Sequence, residues 1–326
     1  MSTFGLSFDG FIPMREAADI AKRAEQVGAS SFWVAEHLGY RESFATSLVL
    51  AHATQSARIF PTSVSPYLRH PMPVAMALAS LCEYMPDRFG VALGVGNPMF
   101  LRESGLEIEK PIKAIRDYIS AVRGLLSGER VNIDGQTFRL NNAQMAFSPE
   151  KQPLIYTAPM GPQMLRLSGS VADGLVLSAG LTAAYVAQSI AIAGEGATKE
   201  GRDPRSLRTA AYIYFIAGGD RQEQNEKVRH KLAFLFRNAN IADNIKSSGL
   251  AIDQEAIMAA IADRDHAKAA SLVPDEAVEM FSIAGDEAEC RRRIGEYEEA
   301  GLQEIVLSLV GTAEDKMRSL ETFGKR

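Results

Sequence analysis

Eight short apolar runs recur along this chain, at residues 4–9, 32–36, 58–64, 89–94, 154–158, 174–178, 209–216 and 304–309. Several are apolar without alternation, most clearly Val91-Ala92-Leu93 and Leu175-Val176-Leu177. A strand with one wet face alternates, whereas a continuous run fits a parallel strand covered on both faces. The stretches between them carry a helical period. After the first run, Ala17, Ala21, Ala24 and Val27 share one face, and Gly28 is placed to stop that helix. Before the last run, Asp286 stands three residues ahead of Glu289, a capping-box spacing, and the helix so started ends at Ala300-Gly301. Eight strand–helix units predict an α/β fold of the (β/α)8 TIM barrel type, one domain over residues 1–326, rather than an open doubly wound sheet.

Two segments do not belong to eight plain units. Residues 131–138 alternate around Asp134-Gly135, a hairpin signal that places a surface insertion near 130–140 after the fourth helix. Residues 238–275 are helical in composition and follow the helix after the seventh strand. A lid over the site and a plain structural elaboration are both open for this second insertion.

Composition narrows the class. With 326 residues, 46% hydrophobic and 23% charged, the chain is globular rather than disordered or fibrous. A net charge of -5 gives no electrostatic reason to expect nucleic acid or an anionic membrane as partner. Residues 174–194 carry no charge over a length that could span a bilayer, but Gly180, Thr182, Gln188 and Ser189 interrupt them and the period changes after Ser178. A buried strand followed by an amphipathic helix is expected there. Asp9, Arg15, Glu16 and Asp19 break any N-terminal signal sequence, and the expected location is the cytoplasm. Cys82 and Cys290 have no CxxC spacing; Cys82 lies in an apolar helical stretch and reads as an inert buried thiol.

In a barrel the chemistry sits at the C-terminal ends of the strands. Those ends read Asp9, Glu36-His37, Ser63-Val64, Gly94-Val95-Gly96-Asn97, Ala158-Pro159-Met160-Gly161-Pro162, Ser178-Ala179-Gly180, and the neighbourhoods of Phe215 and Ser308. Polar groups are few and small residues many, as a flat aromatic cofactor lying on backbone requires. A highly charged substrate would need several Arg or Lys residues, which these ends lack. His37, one of five histidines, can serve as acid, base or donor near neutral pH. Its alternative is a structural histidine bonded to backbone. Glu36 should point to the opposite face of a regular strand. The pair Gly94 and Gly96 lacks the third glycine of a dinucleotide fingerprint. There is no Walker loop, no GxSxG elbow, and no histidine spacing for a metal.

Four motifs in order carry a family resemblance: Trp33-Val34-Ala35-Glu36-His37; Thr62-Ser63-Val64 with Arg69-His70-Pro71; Arg88 through Gly96; and Gly161-Pro162-Gln163 running on to Ala172-Asp173-Gly174. Over nearly its full length the chain resembles the luciferase-like flavin and deazaflavin oxidoreductases. It is similar above all to the branch with methylenetetrahydromethanopterin reductase and the coenzyme F420-dependent glucose-6-phosphate dehydrogenase. The resemblance implies FMN or coenzyme F420 over the strand ends, with a non-prolyl cis peptide at Ser63-Val64. It implies that Glu36, Ser63, Val64 and the stretch Gly94, Val95, Gly96, Asn97 bind the cofactor. Ala158, Pro159, Met160, Gly161, Pro162 and Gln163 would hold its phosphate at a helix start. His37 matches the family's active-site histidine, with Asp9 as a second polar group and Tyr40 and Arg41 touching substrate. The chain departs from the branch at Ser7, where the reductase has glutamate. It also departs at Asn97 and at Tyr40-Arg41, where the dehydrogenase has an acid and a tryptophan. Glu36 in place of the deazaflavin enzymes' aspartate leans the cofactor toward FMN, with coenzyme F420 as the alternative. The expected activity is hydride transfer or mono-oxygenation of a small organic substrate by a homodimer, with a flavin reductase or NAD(P)H as electron source. An F420-dependent reductase of the methylenetetrahydromethanopterin type is the alternative. A nicotinamide-dependent dehydrogenase and a non-catalytic flavin-binding barrel remain from other classes.

Overall fold

The apolar runs pair side by side into one parallel sheet that closes on itself. The computed structural model describes residues 2–324. In chain order the strands are β1 (Thr3–Phe8), β2 (Ser31–Ala35), β3 (Arg58–Val64), β4 (Val91–Leu93), β5 (Val131–Asp134), β6 (Arg139–Ala143), β7 (Ile155–Thr157), β8 (Gly174–Leu177), β9 (Arg208–Ala217), β10 (Ile283–Gly285) and β11 (Glu304–Leu309). The ring runs β9-β11-β1-β2-β3-β4-β7-β8 and returns to β9, which pairs with both of its ring neighbours. It is the expected closed (β/α)8 barrel.

Around the ring lie α1 (Met14–Gln26), α2 (Ser43–Ala53), α3 (Pro71–Tyr84), α4 (Pro98–Glu103), α5 (Pro111–Leu126), α6 (Pro162–Val171) and α7 (Ala183–Lys199). They are followed by α8 (Arg221–Phe236), α9 (Ala242–Ser247), α10 (Gln254–Ala262), α11 (His266–Ser271), α12 (Asp275–Phe281), α13 (Glu287–Glu299) and α14 (Ala313–Phe323). The stop after α1 is as read, with Gly28 in the left-handed region at φ +102. Asp286 caps α13 by accepting from the Glu289 amide at 2.9 Å. The capping box is not completed, because the Glu289 carboxylate is taken by Arg221 Nη1 at 2.6 Å.

The hairpin forms as β5 and β6, and its second strand begins only after Phe138, at Arg139, and runs to Ala143. β10 is a ninth strand that the apolar pattern did not reveal; three residues beside a helix leave too little period to read. It pairs parallel to the upper end of β9, outside the ring. The 174–194 stretch is β8 followed by α7, and no helix among the described residues is long and apolar enough to cross a membrane. In the 238–275 insertion, α9 docks on the loop after β8. Asn244 there donates to the Gly180 carbonyl at 2.8 Å and accepts from the Thr182 amide at 3.2 Å. α10 and α11 stack on α8 and on each other.

Inside the ring, Trp33 and Phe60 stack at 4.3 Å, with Tyr156 edge-on to both. This aromatic layer closes the barrel from below. Beneath it, Glu304 accepts hydrogen bonds from Ser31 Oγ and from Trp33 Nε1, the latter at 2.9 Å. Burial pushes the Glu304 carboxyl above its ordinary value, against those bonds and the nearby Arg58 and Arg208. A raised folded-state value means stability is fully present below the unfolded carboxyl range and is lost as pH rises through the folded value. Glu304→Gln keeps an acceptor for both donors and removes the charge. We expect it to stabilise the protein by about 1 kcal/mol at pH 7 and to add nothing at pH 4. Thermal unfolding at the two pH values checks this; an equal shift at both would refute it.

Candidate active site

Helices cover the outside of the ring, so a strand residue that retains solvent exposure near a C-terminal end faces an open interior. Along β1, β2, β9 and β11 half-exposed residues of inward parity gather at this end: Ser7 and Asp9, Ala35 and His37, Tyr212 and Tyr214, Ser308. In β3 the inward parity runs Phe60, Thr62, and half-exposed Ser63 joins them only where the register shifts after the cis Thr62-Ser63 bond. Ala158 and Ser178 supply the same position after β7 and β8. Directly above the aromatic layer, then, the interior is built of small side chains. Gly94 completes this floor. A Cβ placed on it would lie 2.8 Å from Ser63 Cβ and 3.3 Å from Ala158 Cβ. The result is a shallow surface of small side chains and backbone, which fits a flat ring system and would not fit around a bulkier wall.

His37 stands at one side of this floor. It is edge-on to Tyr40 at 6.1 Å between ring centroids and tilted against Phe100 at 5.4 Å. Burial lowers its pKa, and the Asp9 carboxylate opposes that by favouring the imidazolium. Asp9 also accepts from the Phe11 amide at 3.1 Å, which orients its carboxylate on the loop after β1. Phe11, exposed, packs on Tyr40 at 4.5 Å, so an aromatic rim of Phe11, Tyr40 and Phe100 lines this side. Arg41 is turned the other way. Its Nη1 donates to the carbonyls of Gly10 and Phe11 at 2.8 and 2.9 Å, tying the two loops together.

Other sequence-predicted residues have mixed fates. Glu36 points away from the mouth, as its parity requires. Arg69 Nε donates to its Oε1 at 2.6 Å, and Arg69 Nη2 also reaches Glu42 at 2.6 Å. Only the Glu36 backbone reaches the strand ends, its amide donating to the Thr62 carbonyl at 2.6 Å. Val64 is fully buried on the outer side against α3 and α5, so it offers the mouth backbone alone. The non-prolyl cis peptide is present but one bond earlier than expected, at Thr62-Ser63. Asn97 caps α4, its Oδ1 accepting from the Met99 amide at 2.9 Å, while Val95 and Gly96 lead into that cap.

On the far side, Ala158 and Pro159 lead to Met160, which is exposed, and to Gly161 at φ +77, the N-cap of α6. With Pro162 at the first helical position, the amides of Gln163 and Met164 have no intrahelical acceptor. Space around Gly161 is open. That is a helix start able to accept an anion.

Two mouth residues were missed. At the end of β9 the inward residue is Tyr214, not Phe215, which packs outward in the core; a parity count from Tyr212 would have found it. Burial pushes the Tyr214 phenol up to about 12, with Asp9 adding to the shift and Arg237 opposing it. Arg237 belongs to the end of α8 and reaches the mouth from outside the strands, which no strand-end reading anticipates. No cluster of metal-ligating side chains occurs among the described residues.

A closed barrel with a floor of small residues and one desolvated histidine beside it offers a planar group a seat next to an acid–base residue. Residues 4–304 match the luciferase-like monooxygenase family, and the chain belongs to that family. It is an oxidoreductase. It is 33% identical to the 5,10-methylenetetrahydromethanopterin reductase of Methanolobus tindarius, over 99% of this chain and 98% of that protein. An F420-dependent glucose-6-phosphate dehydrogenase of Gordonia bronchialis is 26% identical over 99% of this chain and 94% of its own length. Among solved structures, the coenzyme F420-dependent tetrahydromethanopterin reductase of Methanopyrus kandleri superposes with a TM-score of 0.89. It is 24% identical, with 99% of this chain and 97% of that one covered.

Proposed function

We propose that this protein is a coenzyme F420-dependent oxidoreductase that moves hydride between the cofactor and a small organic substrate. The observation that carries the reading is the floor of small residues around Gly94, which a single Cβ would fill. Full-length relatives named as F420-dependent weigh for the deazaflavin over FMN. The lean toward FMN rested on Glu36, whose side chain is held by Arg69 on the outer face and has no access to a ring in the mouth. When bound, the deazaflavin supplies two-electron hydride chemistry without oxygen activation.

The chain's own groups do the remainder. Ser63, Gly94 and Ala158 would hold the cofactor's ring, and the free amides at the start of α6 would hold its phosphate. His37, neutral at pH 7 because burial lowers its pKa, takes up the proton that a substrate hydroxyl loses as hydride leaves its carbon. In the reverse direction it returns that proton. Asp9 steadies the imidazolium formed in between. The aromatic rim keeps water from the reacting carbon. Fluorescence titration with F420 and with FMN, backed by mass spectrometry of retained ligand, tests the proposal. We expect F420 to bind at least about 10-fold tighter; tighter FMN binding would overturn it.

A further inference from the structure

Arg237 follows the last turn of α8, whose Leu235 packs with Tyr214 against Gly180 at the strand ends. Its guanidinium lies over the exposed Phe234 ring, 3.8 Å from the centroid, and its Nη1 is 3.9 Å from Met99 Sδ. Met99 sits in the first turn of α4, directly after the Gly94–Asn97 stretch, so the cation stands beside the floor. The Tyr214 phenol feels both this cation and the Asp9 carboxylate. Among the described residues no carboxylate pairs with Arg237, and its Nε is buried without an acceptor.

Other partly buried guanidiniums are treated differently. Arg69 holds Glu36 and Glu42. Arg88 donates to the carbonyls of Ala57 and Gln55 and to Thr54 Oγ1. Arg293 shares the unbonded Nε, but its Nη atoms meet Glu296 and the Met280 carbonyl. Arg237 alone of these four has no oxygen partner, and it is the one that faces the mouth. A buried Nε–H without an acceptor is unfavourable until a ligand supplies one, and a carboxylate matches the guanidinium fork in plane and spacing.

We propose that Arg237 binds a carboxylate of the substrate, with the carbon skeleton against Phe11, Tyr40 and Phe100. The inference rests on reading the mouth as the substrate side of the redox site. One cation selects a singly charged acid, in keeping with strand ends that carry no Arg or Lys. The same chemistry could come from an acidic group of the cofactor, and the test separates the two sources.

Benzoate and benzyl alcohol, similar in size and differing in charge, are titrated against the full protein by ligand-observed NMR, with F420 titrated separately. Wild-type protein is expected to bind benzoate at least about 10-fold tighter than benzyl alcohol. Arg237→Gln should abolish that preference while its affinities for benzyl alcohol and F420 stay within about twofold. Arg237→Lys keeps the charge but not the fork, and should retain part of the preference. No benzoate preference in the wild type, or a preference that survives Arg237→Gln, overturns the proposal. A tenfold loss of F420 affinity in Arg237→Gln also overturns it, by assigning the cation to the cofactor. Failure of the wild type to bind F420 counts against the functional reading and leaves the benzoate comparison intact.

Discussion

His37→Ala should lower turnover by a factor of about 10²–10⁴, the usual loss when a positioned acid–base group is removed, while F420 affinity stays within about twofold. The two readouts separate because His37 stands beside the floor and contributes no part of it. Its imidazole is desolvated with Asp9 as the nearby anion, which sets the pH behaviour. Burial lowers the His37 pKa, so the neutral form dominates at pH 7 and oxidation of substrate should hold its rate there, falling only as pH drops through that lowered value. Asp9→Asn removes the group that favours the imidazolium and should lower the His37 pKa further. NMR titration of the imidazole measures both shifts without any substrate. A His37 titrating above the ordinary histidine value, or His37→Ala turning over normally, would remove it from the chemistry.

Gly94→Val should cost more than about 100-fold in F420 affinity, the loss expected when side-chain atoms occupy a ring's binding surface. Its Cβ would meet Ser63 Cβ and Oγ at 2.8 Å and Ala158 Cβ at 3.3 Å, both on neighbouring strands of a closed ring. Neither can retreat far, because β4 is hydrogen-bonded to β3 on one side and to β7 on the other. Some destabilisation, about 1–3 kcal/mol, accompanies the overpacking, so binding is read at a temperature where circular dichroism shows a folded protein. Gly295→Ala is the control. It lies on α13 with nothing near its added Cβ and should leave affinity untouched while stabilising the helix by about 1 kcal/mol. Unchanged F420 affinity in Gly94→Val would mean that the ring does not lie on this floor.

Much of the fold was legible because it depends on local pattern. Continuous apolar runs such as Val91-Ala92-Leu93 cannot face water on either side, so they demand parallel strands under helices. The 58–64 and 304–309 strands coincide with those observed, and the others differ by a residue or two at their ends. β10 escaped because its three residues carry no period. The site was legible in outline for a related reason, since small residues at strand ends have few uses other than letting something approach the backbone.

The order of strands and helices, the closed ring and the scarcity of charge at its mouth therefore follow from residue types and their spacing along the chain. Which side chains meet there does not. Glu36 and His37 are adjacent in sequence yet serve opposite sides, one locked to Arg69 and the other open to the mouth. Asn97 is occupied as a helix cap, and Phe215 gives way to its neighbour Tyr214. Arg237, 138 residues beyond Met99, arrives only because the end of α8 packs against Gly180 and Tyr214 at the strand ends. Pleat parity and helix packing are properties of the assembled ring, and a shift of one residue or one turn would have sent each of these groups elsewhere.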